Sequence, residues 1–560
     1  MDRDLLNILI GGEAGQGLVT VGQILAKSLV RSGYRIVVTQ DYQSRIRGGH
    51  NTYIIRVNDK EIHAPRETID LIVAFNKETI ELHKDMLVLN GRIIADEKIQ
   101  VQNEAIIKVP FDKLSEPRYL NIAALGITCS ILDMDEAVVA DAVDDFFGAK
   151  HSESAANNRK ALNEAYKWGK SFCCPFQSLK TIPNSPKRAM VGGNEAIALG
   201  AVSSGLSFYS FYPMTPATSI ANTLASVAGK LGLIVEQAED EIAAINMAIG
   251  ASFTGAVAMV GTSGGGFALM VEGVSLAAMT ETPLLVIVAQ RPGPATGLPT
   301  RTEQADIDFV LHSGHGEFPR AIFAPGSIEE CFHLTRKAIE LAEKSQSPIF
   351  LLTDQYLADT IRALEPFDIE NLGQVNPTQD NGPIKYPYRR FEITSSGLSP
   401  RLLPGMSENL VVADSDEHYP DGHITEDLSV RKVMVEKRLR KIETICSEIK
   451  PPKYYGDANP ELLLVTWGSC KGAVVESVQI LQESGTKSAA LCFSQVWPLA
   501  PEMFMRHIQS AKKVFCVEGN AFGQFARLIR RETGFEITNR ILRYDGLPIT
   551  PDYILKELGR

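Results

Sequence analysis

Apolar runs of strand length alternate along the chain with stretches whose apolar positions recur at helical spacing. LNILI reads as a strand, ends in Gly11-Gly12-Glu13-Ala14-Gly15-Gln16-Gly17, and passes into a helix through VGQILAKSLVRSG. YRIVVTQ, TYIIRV, LIVAF, GRIIAD and AIIKV follow as strands. Residues 1–180 are therefore expected to form an α/β domain with helices covering a mainly parallel sheet. SFCCPFQSLKTIPNSP, residues 171–186, has three prolines and no period, and reads as a linker. The alternation resumes over 187–360. There PLLVIVAQ and PIFLLTD are continuously apolar, as strands buried on both faces are. Residues 361–455 are rich in Pro, Arg and Asp and predict an extended arm, then one charged helix in EDLSVRKVMVEKRLRKIETICSEIK whose charges read as a solvated face. ELLLVTWG, AALCFS and KVFCVEGN, with helices between them, make a third α/β unit over 456–560. The predicted fold class is α/β in three domains, without a short internal repeat.

Length and composition narrow the picture. With 560 residues, 44% apolar and 22% charged, the chain is an ordinary globular one, too long for a single core. A net charge of −11 argues against general nucleic-acid binding. No apolar run approaches the ~18 residues of a membrane span. MDRDLLNILIGGEAGQG enters a strand and a glycine turn without the apolar segment of a signal peptide, so a cytoplasmic location is expected. The eight cysteines (Cys129, Cys173, Cys174, Cys331, Cys446, Cys470, Cys492 and Cys516) include no C-x-x-C pair. Neither an iron–sulfur cluster nor a structural zinc is expected within this chain.

Three stretches carry candidate chemistry. The loop holding Gly15 and Gly17 has the spacing G-x-x-G-x-G and not G-x-G-x-x-G, which gives a nicotinamide fingerprint only weak support. The other readings are a close-packed turn and a cradle for another phosphate-bearing ligand. Residues 43–51 set Arg45 and Arg47 beside Gly48 and Gly49, an anion-binding loop or a solvated turn. The third stretch joins the turn Tyr212-Pro213-Met214-Thr215-Pro216 to Glu241, which opens an otherwise apolar helix. An acid in a first helical turn complements the helix dipole without further role. A partly desolvated one can also share a proton with a ring nitrogen of a buried cofactor.

YPMTPA, EDEIAAINMAIGAS, GTSGGGFALMVEG and QRPGPATGLPTRTEQAD, in that order, resemble the α subunit of 2-oxoacid:ferredoxin oxidoreductases. GGEAGQG and SRIRGGHN resemble the γ component of the same enzymes, here fused ahead of α. SPRLLPG, DEHYPDGHITED and the KRLRK helix resemble the 2-oxoglutarate-type chains, and the third unit resembles a transketolase C-terminal domain. The resemblance implies a γ-like domain over 1–180, a pyrimidine-binding-type thiamine diphosphate domain over 187–360, an arm and helix over 361–455 and the transketolase-like domain over 456–560. It implies CoA-dependent oxidative decarboxylation of a 2-oxoacid, with ferredoxin reduced.

By motif, Glu241 would hydrogen-bond the aminopyrimidine ring of thiamine diphosphate. Ser263, Gly264 and Gly265 would line the cofactor, and Tyr212 and Thr215 would face the substrate. Arg301 or Arg291 would pair with the 2-oxoacid carboxylate. Gly15, Gly17, Arg47, Gly48 and Gly49 would lie on the coenzyme A side. Two departures stand out: Met214 and Ala217 replace Ile and Ser, and Gly265 stands where many relatives have proline. No Gly-Asp-Gly triplet occurs, the nearest strings being Pro420-Asp421-Gly422 and Tyr544-Asp545-Gly546. The diphosphate site with its Mg²⁺, and a 4Fe–4S cluster, are thus expected on a β subunit, in an (αβ)₂ assembly. A non-redox thiamine-dependent decarboxylase subunit and a non-catalytic protein that kept the fold are the rival readings.

Overall fold

The computed structural model describes residues 6–43, 48–148, 152–171, 176–375 and 387–559. They form two compact units. One comprises 1–192, 359–367 and 550–560, the other 193–358 and 368–549.

The first unit is built on an eight-stranded sheet. The strand Leu6–Glu13 pairs parallel with Ile69–Ala74 on one side and antiparallel with His50–Asn58 on the other. The sheet is therefore mixed, where a mainly parallel one is expected from the sequence. The reason is connection length. Residues 42–49 join Arg35–Asp41 to His50–Asn58, too few for the dozen or so that a parallel crossover needs. Ile361–Leu364, at the start of the expected arm, extends this sheet by pairing with Arg35–Asp41 and Ala189–Gly192. The described part of the expected linker packs down: Leu179 is fully buried, and the N–H groups of Leu179 and Ile182 donate to the carbonyls of Leu132 and Ser32.

The second unit holds a seven-stranded and a five-stranded sheet. In the first all neighbours are parallel except Gln495–Trp497, which pairs antiparallel with Ile322–Phe323. That strand follows Ser488–Phe493 of the five-stranded sheet. The two sheets share one apolar core, in which Phe267, Val286 and Phe350 are clustered with Leu463, Trp467 and Phe525.

The arm helix, Leu428–Arg440, does not have a solvated charged face throughout. Lys437 and, just beyond the helix, Lys441 are fully buried against Glu281. Lys437 Nζ lies 2.6 Å from Glu281 Oε1, Lys441 Nζ 3.2 Å from Oε2, and Arg390 donates to the Glu281 carbonyl at 2.7 Å. Burial alone raises the Glu281 carboxyl, but Lys441, Lys437 and Arg390 outweigh it and hold it at about 2. Burial depresses the Lys437 ammonium to about 7 against the pull of Glu281. Charges recur on every side of this helix, so spacing alone could not mark which faced inward. No described helix is long and apolar enough to cross a membrane.

Candidate active site

Four adjacent strands of the seven-stranded sheet run parallel in the order Ile234–Gln237, Phe208–Phe211, Ala258–Thr262, Leu284–Gln290. Segments leaving their carboxyl ends gather on one edge, where ligands of open α/β sheets bind. Those segments are 212–217, the start of the helix Glu241–Phe253, 263–266, and 291–306. The pyrimidine-side and substrate-side residues expected from sequence are thus all delivered to one edge.

Glu241 is 3% exposed, and its Oε1 has no hydrogen-bond partner. It is not needed as the cap, because Asp240 already accepts from the Ala243 N–H at 2.7 Å. Ser263, fully buried, has an equally unpartnered Oγ and makes no cap bond to the helix it precedes, Gly264–Met279. Two unpartnered buried oxygens at one sheet edge fit a polar ligand group that bonds to them.

The glycines that open this second helix have a steric cause. A Cβ on Gly266 would come 2.5 Å from Glu241 Oε1 and 2.2 Å from Thr262 Oγ1. A Cβ on Gly264 would come 2.6 Å from Asp306 Oδ2. The first turn is wedged between two carboxylates, one on each side. Gly265 points away: a Cβ there would meet only the Ala295 carbonyl, at 3.6 Å. A Cβ at this position has room.

The two arginines differ in what they touch. Arg291 Nη1 donates to the Thr215 carbonyl at 2.8 Å, its Nε is buried without a partner, and burial lowers its pKa. It braces the Tyr212–Thr215 turn, which Asn194 supports from behind by donating to the Pro216 carbonyl at 2.8 Å. Tyr212 itself is half-exposed. Arg301 lies in a half-buried turn against Gly546.

Asp306 is missing from the residues singled out by sequence. Burial pushes its carboxyl up to about 6. It sits at the start of the short helix Ile307–Leu311 yet makes no cap bond. Its acidic residue type and position read as an ordinary helix start; only the close approach to Gly264 sets it apart.

In the first unit, Gly15 and Gly17 adopt positive φ of 99° and 79°, and Gly48 and Gly49 of 73° and 78°. Arg47 lies outside the described residues. Leu18, Val19, Gln40, Tyr42, Asn51 and Asp359 are among the residues lining a cavity of about 330 Å³, which lies at the first turn of the helix Leu18–Arg31 and between the strands that flank the Arg-Gly loop.

The profile described as "Pyruvate flavodoxin/ferredoxin oxidoreductase, thiamine diP-bdg" matches residues 199–437, and "Pyruvate ferredoxin/flavodoxin oxidoreductase" matches 7–168. The fold is similar to that of the 2-oxoglutarate:ferredoxin oxidoreductase from Magnetococcus marinus, solved with 2-oxoglutarate, coenzyme A and succinyl-CoA bound. The TM-score is 0.93 at 30% identity, covering 100% of this chain and 99% of that one. The 2-oxoglutarate oxidoreductase subunit KorA of Mycobacterium tuberculosis is 28% identical over 100% of this chain and 92% of its own. The 2-oxoacid:ferredoxin oxidoreductase subunit alpha of Sulfolobus sp is 31% identical over 99% of this chain and 96% of its own. On that full-length identity, and with the edge of the seven-stranded sheet built as described, the chain belongs to the alpha subunits of the 2-oxoacid:ferredoxin oxidoreductases.

Proposed function

We propose that this chain is the alpha subunit, with a γ-like domain fused ahead of it, of an enzyme of the 2-oxoglutarate type. The reaction converts a 2-oxoacid, coenzyme A and two oxidised ferredoxins into acyl-CoA, CO₂, a proton and two reduced ferredoxins. The observation that carries the proposal is the buried, unpartnered Oε1 of Glu241 at the carboxyl edge of four parallel strands. Thiamine diphosphate, when bound, supplies a nucleophilic carbon and an electron sink. In this reading Glu241 holds a proton against the aminopyrimidine ring, and Ser263 with Gly264 and Gly265 lines the ring's edge. Arg301 receives the 2-oxoacid carboxylate as a planar, bidentate donor. Arg291, occupied with the Thr215 carbonyl, holds Thr215 and Tyr212 toward the keto end.

The half-site needs a partner. Without a Gly-Asp-Gly loop or a C-x-x-C spacing, the diphosphate with its Mg²⁺ and the 4Fe–4S cluster fall to a β subunit. Ile242, Met247 and Leu269, on the two helices that start at the site, are each 41–51% exposed and give such a partner an apolar surface. The assembly would be (αβ)₂, reducing ferredoxin in the cytoplasm. Gly15, Gly17, Gly48 and Gly49 would serve coenzyme A.

The test is purification of the chain alone and co-expressed with its partner. Alone it should be colourless and inactive. The complex should be brown and reduce methyl viologen only with a 2-oxoacid and coenzyme A. Turnover by the isolated chain would refute the split site, and 2-oxoacid decarboxylation without an electron acceptor would point to the non-redox reading.

A further inference from the structure

Residues 301–306 carry Arg301 and Asp306 but belong to no strand or helix. Much of what holds them comes from the side of the five-stranded sheet, and centres on one residue. Gln304 is 2% exposed. Its Nε2 donates to the Trp467 carbonyl and to Ser469 Oγ, both at 3.3 Å. Its Oε1 accepts from Cys470 Sγ at 3.0 Å and from the Gly519 N–H at 2.9 Å. A side-chain amide offers two donors and two acceptor positions, and here all of them are used. The main chain is caught as well. The Gln304 N–H donates to the Gly519 carbonyl at 2.6 Å, and Asn520 Nδ2 donates to the Gln304 carbonyl at 3.1 Å.

The socket is cut to this side chain. A Cβ on Gly468 would come 2.9 Å from Gln304 Nε2, and one on Gly519 3.3 Å from its Cγ. On the other side of Glu303, Thr302 Oγ1 donates to Asp354 Oδ1 at 3.2 Å and the Thr302 N–H to the Gly546 carbonyl at 3.1 Å. The Asp306 N–H is tied to Gln290 Oε1 at 2.9 Å.

We propose that Gln304 is the positioning residue of the substrate end: plugged into the socket between Trp467 and Asn520, it fixes the segment that presents Arg301 and Asp306. The five-stranded sheet thereby sets affinity for the 2-oxoacid through a residue that does not touch it. The inference rests on the reading of Arg301 as the carboxylate partner.

The test uses the complex with its partner subunit and three variants: Gln304→Leu, Gln304→Glu and, as the control for that reading, Arg301→Lys. Gln304→Leu should raise KM for the 2-oxoacid about tenfold, the size of one or two lost hydrogen-bonding positions. Its kcat should stay within about threefold, and KM for coenzyme A should not move. In Gln304→Glu the neutral acid can accept at Oε1 and donate once, whereas the carboxylate cannot donate to Trp467. KM for the 2-oxoacid should therefore rise with pH in this variant and not in the wild type. Burial holds the neighbouring Cys470 thiol well above its ordinary value, with Asp354 and Glu518 adding to it, so this donor stays neutral throughout. If Arg301→Lys raises KM and neither Gln304 variant does, the positioning role is overturned alone. If none of the three does, the substrate reading falls with it. Lower thermal stability of the Gln304 variants with unaltered KM and no pH step also overturns the role.

Discussion

Glu241→Gln separates a cofactor acid from a helix-capping acid by the sign of a stability change. The substitution keeps the shape and removes the charge. Glu241 is 3% exposed with Oε1 unpartnered. A buried polar atom left unsatisfied costs roughly 1–3 kcal/mol, and more when charged. An amide oxygen in the Oε1 position carries no charge, so the free chain should become more stable, by on the order of 1 kcal/mol. An acid serving only the helix dipole contributes about 0.3–1 kcal/mol, and its loss would destabilise instead. In the complex, methyl viologen reduction should fall by about 10²–10⁴, the usual reach of a positioned acid or base, or roughly 3–5 kcal/mol of barrier. The assays are urea unfolding midpoints of the isolated chain and steady-state turnover of the complex. A variant that is less stable alone and fully active in the complex would refute the cofactor role.

Gly266→Ala should lower turnover of the complex by about 10²-fold, because displacing Glu241 by even a fraction of its required geometry is costly; Gly265→Ala, with free space at its Cβ, should stay within about twofold. Glu281→Gln should cost about 3–5 kcal/mol in unfolding free energy by leaving buried cations without their carboxylate; Lys437→Met should cost less, since Lys441 and Arg390 still neutralise Glu281. The Glu281 pKa of about 2 lies below its ordinary 4.5, so the unfolded chain takes up this proton first as pH falls. Its contribution is full above pH 4.5 and lost between 4.5 and about 2. Unfolding midpoints followed over that window should fall more steeply in the wild type than in Glu281→Gln.

The strand–helix alternation made the fold class legible, and the parallel sheet carrying the site followed from continuously apolar strands such as Leu284–Gln290. The candidate site was legible where residue chemistry and geometry leave the same mark. Glu241 ahead of an apolar helix, and a glycine run after Ala258–Thr262, are such marks. What stayed hidden depends on partners distant in sequence. Asp306 looks like a helix-start acid until Gly264 is seen against it. Gln304 is one polar residue in a loop until its contacts with Trp467, Cys470 and Gly519 are traced. The antiparallel strands beside the glycine loop were a question of connection length rather than of pattern, since IVV and YII are apolar in either direction.

The buried cations of the arm gain a reason from the helix Gly264–Met279. Its amino end is the wedged turn between Glu241 and Asp306. At its carboxyl end the chain turns through Glu281 at a positive φ of 50°, which side chains seldom adopt. Arg390 donates to the Glu281 carbonyl there while Lys437 and Lys441 hold the carboxylate. Cations near a helix carboxyl end also complement its dipole. Along its length the helix lies close against Glu241–Phe253, where a Cβ on Gly273 would come 2.7 Å from Ile245 Cγ2. A helix pinned behind and in contact along its side cannot slide away from Glu241. The described part of the arm therefore acts on this helix from behind, holding its carboxyl end through Arg390, Lys437 and Lys441 while the amino end keeps the turn that Glu241 faces.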